Sequence, residues 1–249
     1  MNRNYNNINL ICFPYAGGSK YSYLSLESIA PPNIKFIPIE PPGRGDRLME
    51  PLLLDINSMV EDLFNQIIVH IDKPYVIFGH SMGALLGYLV AKKIEENNFP
   101  LPQRLIVTGC EGPSVKDENK KLRSTLPPDK FIEELKILGG IPNEVFEDAS
   151  FINFFEPILR ADFKAIEDYK YLKRSSLNVP FTVLFGSDED FSFEEAFSWQ
   201  DESNFEVDVI QLPGDHFFIF KHEKQIIDLI QKKMRPNSTQ LSKNTFNCK

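Results

Sequence analysis

Gly79-His80-Ser81-Met82-Gly83 constrains what this chain can fold into more than any other stretch. Before it runs Pro74-Tyr75-Val76-Ile77-Phe78, a short apolar run rich in strand formers. After it, Leu85, Leu86, Leu89, Val90 and Ile94 recur at helical spacing. A G-x-S-x-G between a buried strand and a helix is a nucleophile elbow. The turn is so sharp that a side chain at either glycine would collide with the neighbouring strand or helix. The serine is pushed out above the sheet, near the positive end of the following helix, where developing negative charge is stabilised. Ser81 is the expected nucleophile.

The remaining patterns supply a sheet for that elbow. Strands are expected at Asn9–Phe13, Ile34–Ile39, Arg104–Gly109, Val179–Gly186 and Phe205–Leu212. Helical periodicity covers Tyr21–Ala30, Ile56–Ile71 and Glu223–Arg235. Alternation of this kind implies a parallel sheet with helices on both faces. From about Pro113 to Leu177 the strand signal stops, and helices are expected at Pro128–Leu138 and Ser150–Leu172. The chain is thus divided into a core (1–112 and 176–235), a helical lid inserted over the active-site edge (113–175) and a polar, disordered tail (236–249).

At 249 residues the chain is long enough to bury a large α/β core. A formal charge of −8, with no long basic stripe, argues against nucleic acid and anionic membranes. No apolar run is long enough to span a bilayer, and the polar N-terminus has no signal core. Cys12, Cys110 and Cys248 show no metal-like spacing, and the first two read as small buried hydrophobes. A cytoplasmic monomer is expected. Arg44 and Arg47, in the loop Glu40–Arg47, read either as positioning an anionic group or as pairing with neighbouring loops.

A serine nucleophile needs a base and a carboxylate that orients it, and in this fold they follow in the order serine, acid, histidine. His70 lies upstream of the elbow, His80 inside it with its ring directed away, and His222 at the mouth of the last helix. His216, in the loop after the last strand, is the expected base. The acid belongs in Gly186-Ser187-Asp188-Glu189-Asp190-Phe191, where at most one of three carboxylates can face the imidazole. Pro14-Tyr15-Ala16-Gly17-Gly18-Ser19 follows the first strand, where these hydrolases place one oxyanion donor.

Together these stretches resemble the type II thioesterases, the free-standing editing hydrolases of nonribosomal peptide and polyketide synthases. The resemblance rests on LICFPYAGGS (10–19), EPPGRG (40–45), FGHSMG (78–83), and LPPDKF and LGGIP within 126–142. FFEPILRADFKAIEDY (154–169), Trp199 and PGDHFF (213–218) complete it. It implies an α/β-hydrolase core with a helical lid, and acyl groups on the phosphopantetheine of acyl or peptidyl carrier proteins as substrates. No cofactor of the enzyme's own is implied. It makes Ser81 the nucleophile, His216 the base, and the backbone N–H groups of Met82 and Ala16 the oxyanion hole. The family's acid is an aspartate three residues after the glycine matching Gly186, where this chain has Glu189. A one-residue shift would bring Asp190 instead. Asp190 is the expected acid, with Glu189 and then Asp188 as alternatives. A small-ester hydrolase or acyltransferase with the same triad, and a catalytically silent carrier-binding module, are the competing functions.

Overall fold

In the computed structural model, which describes residues 8–115, 121–141 and 143–233, six strands form one parallel sheet. They are β1 (Ile8–Phe13), β2 (Ile34–Pro38), β3 (Tyr75–His80), β4 (Leu105–Thr108), β5 (Phe181–Gly186) and β6 (Asp208–Leu212), in the order β2-β1-β3-β4-β5-β6. β1, β3, β4 and β5 lie inside this order and are buried along their whole length. That explains their unbroken apolar runs, because a central parallel strand is covered on both faces. β6 is an edge strand with partly exposed residues.

Among the described residues seven α-helices accompany the strands: α1 (Leu24–Ser28), α2 (Ile56–Ile67), α3 (Met82–Glu96), α4 (Pro128–Leu138), α5 (Ala149–Glu167), α6 (Phe193–Phe197) and, after the last strand, α7 (Glu223–Lys233). One face of the sheet packs against α2, α3 and the segment around Trp199, burying Met59, Leu63, Leu86 and Val90. The other packs against α1 and α7 through Leu26, Ile226 and Ile230. Each fully buried Leu or Ile contributes about 1.5–3 kcal/mol relative to exposure.

Helix ends differ from the sequence expectation for local reasons. Asp55 caps α2 by accepting the Ser58 N–H, and the helix tightens to a 3₁₀ turn over Ile68–His70. α1 is short because Ser19–Ser22 is spent on a turn, with Ser22 N–H donating to the Ser19 carbonyl and Ser22 Oγ accepting the Ser19 N–H. α6 had no periodicity long enough to announce it, yet Ser192 and Glu195 close a capping box around it. The expected tail (236–249), Cys248 and Arg235 lie outside the described residues.

Between β4 and β5 the described chain contains α4 and α5 and no sheet strand. Phe131, Leu135, Leu159 and Phe163 form a small core there, which also packs on Ala16 in the loop after β1. α5 is not detached from the main body: Ala165, Ile166 and Tyr169 at its C-terminal end join the core under α2 and α3. Phe131 is fully buried in the helical pair, whereas Phe154 on α5 is exposed. No helix among the described residues is long and apolar enough to cross a membrane.

Candidate active site

All six strands point their C-terminal ends the same way, so the loops after β1, β3, β4, β5 and β6 meet along one edge. Ser81 follows β3 there with φ +54° and ψ −120°, a conformation that a non-glycine residue adopts only when its surroundings enforce it. The enforcement is visible. Ser81 N–H donates to the Thr108 carbonyl at 2.8 Å, and the Ser81 carbonyl accepts the Ala84 N–H at 2.9 Å. A Cβ on Gly79 would overlap the Gly83 carbonyl, and one on Gly83 would overlap the carbonyls of Phe13 and Pro14. Only glycine lets α3 start this close to β1 and β3.

His216 lies four residues past β6, and its Nδ1 is 2.7 Å from Glu189 Oε1. The Glu189 side chain is 2% exposed, and its Oε2 accepts the Gly186 N–H at 2.7 Å. This corrects the expectation for Asp190, which is exposed, as is Asp188, whose carboxylate accepts the Ser187 hydroxyl. The reason is the path of the loop. Ser187 and Asp188 N–H groups donate to the Leu212 and Gly214 carbonyls, and the Glu189 N–H turns back to Gly186. The third residue after Gly186 therefore faces inward and the fourth outward. No one-residue shift occurs.

His80 supports the histidine from below. Its ring centroid is 4.8 Å from that of His216, and it also packs against Tyr15, Phe217 and Phe218. Its Nδ1 lies 2.9 Å from Thr108 Oγ1, and the Thr108 hydroxyl lies 3.1 Å from the Gly79 carbonyl. Burial, helped by nearby His216, pushes its pKa well below the usual histidine value, so His80 is a neutral ring. Sequence reasoning missed Gly109, at φ +58°. A Cβ there would overlap the His80 ring and come within 3.2 Å of Glu189 Oε1. A glycine ending a strand beside the nucleophile strand was the available signal.

The N–H groups of Met82 and Ala16 have no hydrogen-bond partner among the described residues. Met82 N–H opens α3, where the helix dipole favours negative charge. Of the two readings of the arginines, pairing is what occurs. Arg44 binds Asp162 on α5, and Arg47 binds Asp62 and Glu50. Cys12 is buried and Cys110 partly so, both as free thiols. Among the described residues no cluster of His, Cys, Asp or Glu has the spacing to hold a metal ion.

Comparison with known proteins gives the family. A thioesterase-domain family model matches residues 8–234. Gramicidin S biosynthesis protein GrsT of Aneurinibacillus migulanus is 31% identical over 229 residues, covering 92% of this chain and 89% of that protein. Among solved structures, ClbQ from the colibactin NRPS/PKS pathway superposes with a TM-score of 0.86 at 31% identity, covering 92% of this chain and 97% of its own. YbtT, a type II thioesterase from the yersiniabactin NRPS/PKS pathway, does so with a TM-score of 0.80 at 29% identity, covering 93% and 94%. The chain belongs to the thioesterase family, with the α/β-hydrolase fold of the type II thioesterases that serve nonribosomal peptide and polyketide pathways.

Proposed function

We propose that this enzyme hydrolyses acyl or aminoacyl thioesters carried on the phosphopantetheine arm of carrier proteins, with Ser81 as nucleophile, His216 as base and Glu189 as the acid. The observation that carries the site assignment is the 2.7 Å contact of His216 Nδ1 with Glu189, made at the same edge of the sheet at which Ser81 sits at positive φ. With Nδ1 engaged by the carboxylate, Nε2 is the nitrogen left to take the serine proton.

Ser81 Oγ attacks the thioester carbonyl as His216 accepts its proton. The tetrahedral oxyanion is met by the N–H groups of Met82 and Ala16, which are fixed before reaction and need no reorganisation. Collapse expels the thiol, protonated by His216, and leaves an acyl-Ser81 ester. Water, deprotonated by His216, then releases the acid. Every proton carrier and oxyanion donor in this scheme is on the chain, so the chemistry calls for no cofactor. The paired carboxylate and the strained serine have no use in a silent binding module.

A carrier delivers its thioester at the end of a long arm and must dock outside the site. The helical insertion is the wall of that passage, acting as a lid. Its exposed Phe154, with Phe155 packed against it and Phe151 stacked on Phe155, offers an apolar approach. Both this protein, at −8, and acidic carriers are negative, so docking relies on local apolar contact, not long-range attraction. The test offers one acyl group as carrier-bound thioester, coenzyme A thioester and simple ester. We expect the highest kcat/KM on the carrier and the lowest on the ester. Comparable or faster ester cleavage, or no thioester cleavage, overturns the proposal.

A further inference from the structure

The mechanism above leaves Arg44 and Asp162 unused, yet they form the most deeply buried ion pair among the described residues. Asp162 is 0% and Arg44 4% exposed. The pair is bidentate, Nη1 to Oδ2 at 2.6 Å and Nη2 to Oδ1 at 2.7 Å. Stability alone is a weak reason to keep such a pair, because apolar residues of similar volume often serve as well or better. Its remaining hydrogen bonds suggest another reason. Asp162 Oδ2 also accepts the Gly17 N–H at 2.7 Å, and Arg44 Nη1 also donates to the Gly18 carbonyl at 3.2 Å.

Both contacts land on the turn that carries the Ala16 N–H. Gly18 N–H donates to the Tyr15 carbonyl at 2.8 Å, Gly17 has φ +75°, and Ala16 is not at positive φ. That is a type II turn, whose central peptide could otherwise rotate to the type I form. Rotation would turn the Gly17 N–H away from Asp162, so the carboxylate selects the type II state. The Tyr15 carbonyl shares a rigid peptide plane with the Ala16 N–H, and the Gly18 N–H holds that carbonyl. Asp162 and Arg44 fix the next two links, Gly17 N–H and Gly18 C=O. On the outer side, a Cβ at Gly17 would overlap Leu159 of α5, one turn before Asp162.

We infer that Asp162 and Arg44 are positioning residues that aim the Ala16 N–H at the developing oxyanion, making helix α5 part of the oxyanion hole. This rests on the proposed roles of Ser81 and Ala16. It implies that α5 from Asp162 onward stays docked during turnover. Any opening of the lid is confined to the chain before it, where Pro157, inside α5, has no N–H to give to the helix.

The test compares wild type with Asp162→Ala and with the double variant Arg44→Met/Asp162→Leu, which leaves no unpaired buried charge. Each is assayed with an activated p-nitrophenyl ester and with a boronic acid that forms a tetrahedral adduct on Ser81. Rates are normalised to active sites counted by the ester burst. Misaiming one donor is expected to lower kcat about 10- to 100-fold with KM nearly unchanged. The inhibition constant of the boronic acid should rise by a similar factor. The double variant should keep the wild-type urea midpoint and still show the kinetic loss. If the single variant does not fold, the double variant carries the test. A stable double variant with wild-type kcat per active site and wild-type boronate affinity overturns the inference. Because neither probe is a thioester or a carrier, that result leaves the substrate assignment untouched, and failure of the substrate assignment leaves this ratio readable.

Discussion

Glu189 and Asp162 are both buried carboxylates at the C-terminal edge of the sheet, and each holds one backbone N–H and one nitrogenous side chain. They differ in the partner. Glu189 faces an imidazole, the base of the proposed mechanism, whereas Asp162 faces a guanidinium, a permanent cation. They differ also in reach. Glu189 takes its N–H from Gly186, three residues away, while Asp162 spans to Gly17, far across the sequence. The comparison teaches that the same functional group moves protons or fixes geometry according to what stands opposite it.

The strongest attempt to break this division removes the reacting groups themselves. Ser81→Ala and His216→Ala should each lower thioester kcat by about 10³–10⁶-fold, and the double variant should be scarcely worse, because the pair acts as a unit. Near-normal steady-state turnover by Ser81→Ala would sink the mechanism.

A second measurement sharpens the assignment of the proton-handling end. Glu189→Gln should cost about 10²–10⁴-fold in kcat, since an amide favours the wrong imidazole tautomer. Asp190→Asn, at an exposed position, should stay within about twofold, a surface change away from the site. The reverse ranking would mean that the loop shifts when substrate binds.

The smallest expected effect concerns acid. His80 is neutral in the folded protein because burial depresses its pKa, so only the unfolded chain takes up its proton as pH falls. Its contribution is complete above the unfolded value of about 6.5 and is lost below it, by up to about 1.4 kcal/mol per pH unit. Urea midpoints followed from about pH 7.5 to 5 should fall less steeply in His80→Gln than in wild type. Parallel slopes would show that His80 does not sense pH. An arginine clasp has no counterpart to this effect, which sets the two ends of the site apart once more.

What was legible in sequence follows the same divide between local and distant. The elbow was readable because its glycines bracket the serine at a fixed spacing between an apolar run and a helical one, and the demand on Gly79 comes from Gly83, four residues on. His216 was readable from chain order and from the apolar residues behind it. The acid was not, because Asp188, Glu189 and Asp190 carry the same charge and only the path of the backbone decides which faces inward. The Arg44–Asp162 pair was invisible for a different reason. Each residue alone is an ordinary surface charge in sequence, and the parallel topology that brings the loop after β2 under α5 is what buries both.

The close approach of Gly83 to the Phe13 carbonyl has a consequence for when this protein becomes reactive. The elbow packs directly against β1, and the base and acid proposed for Ser81 come from loops at the opposite side of the sheet. On those roles, loss of an outer strand on either side leaves an ordinary alcohol at position 81. Hydrolytic competence then reports a complete sheet.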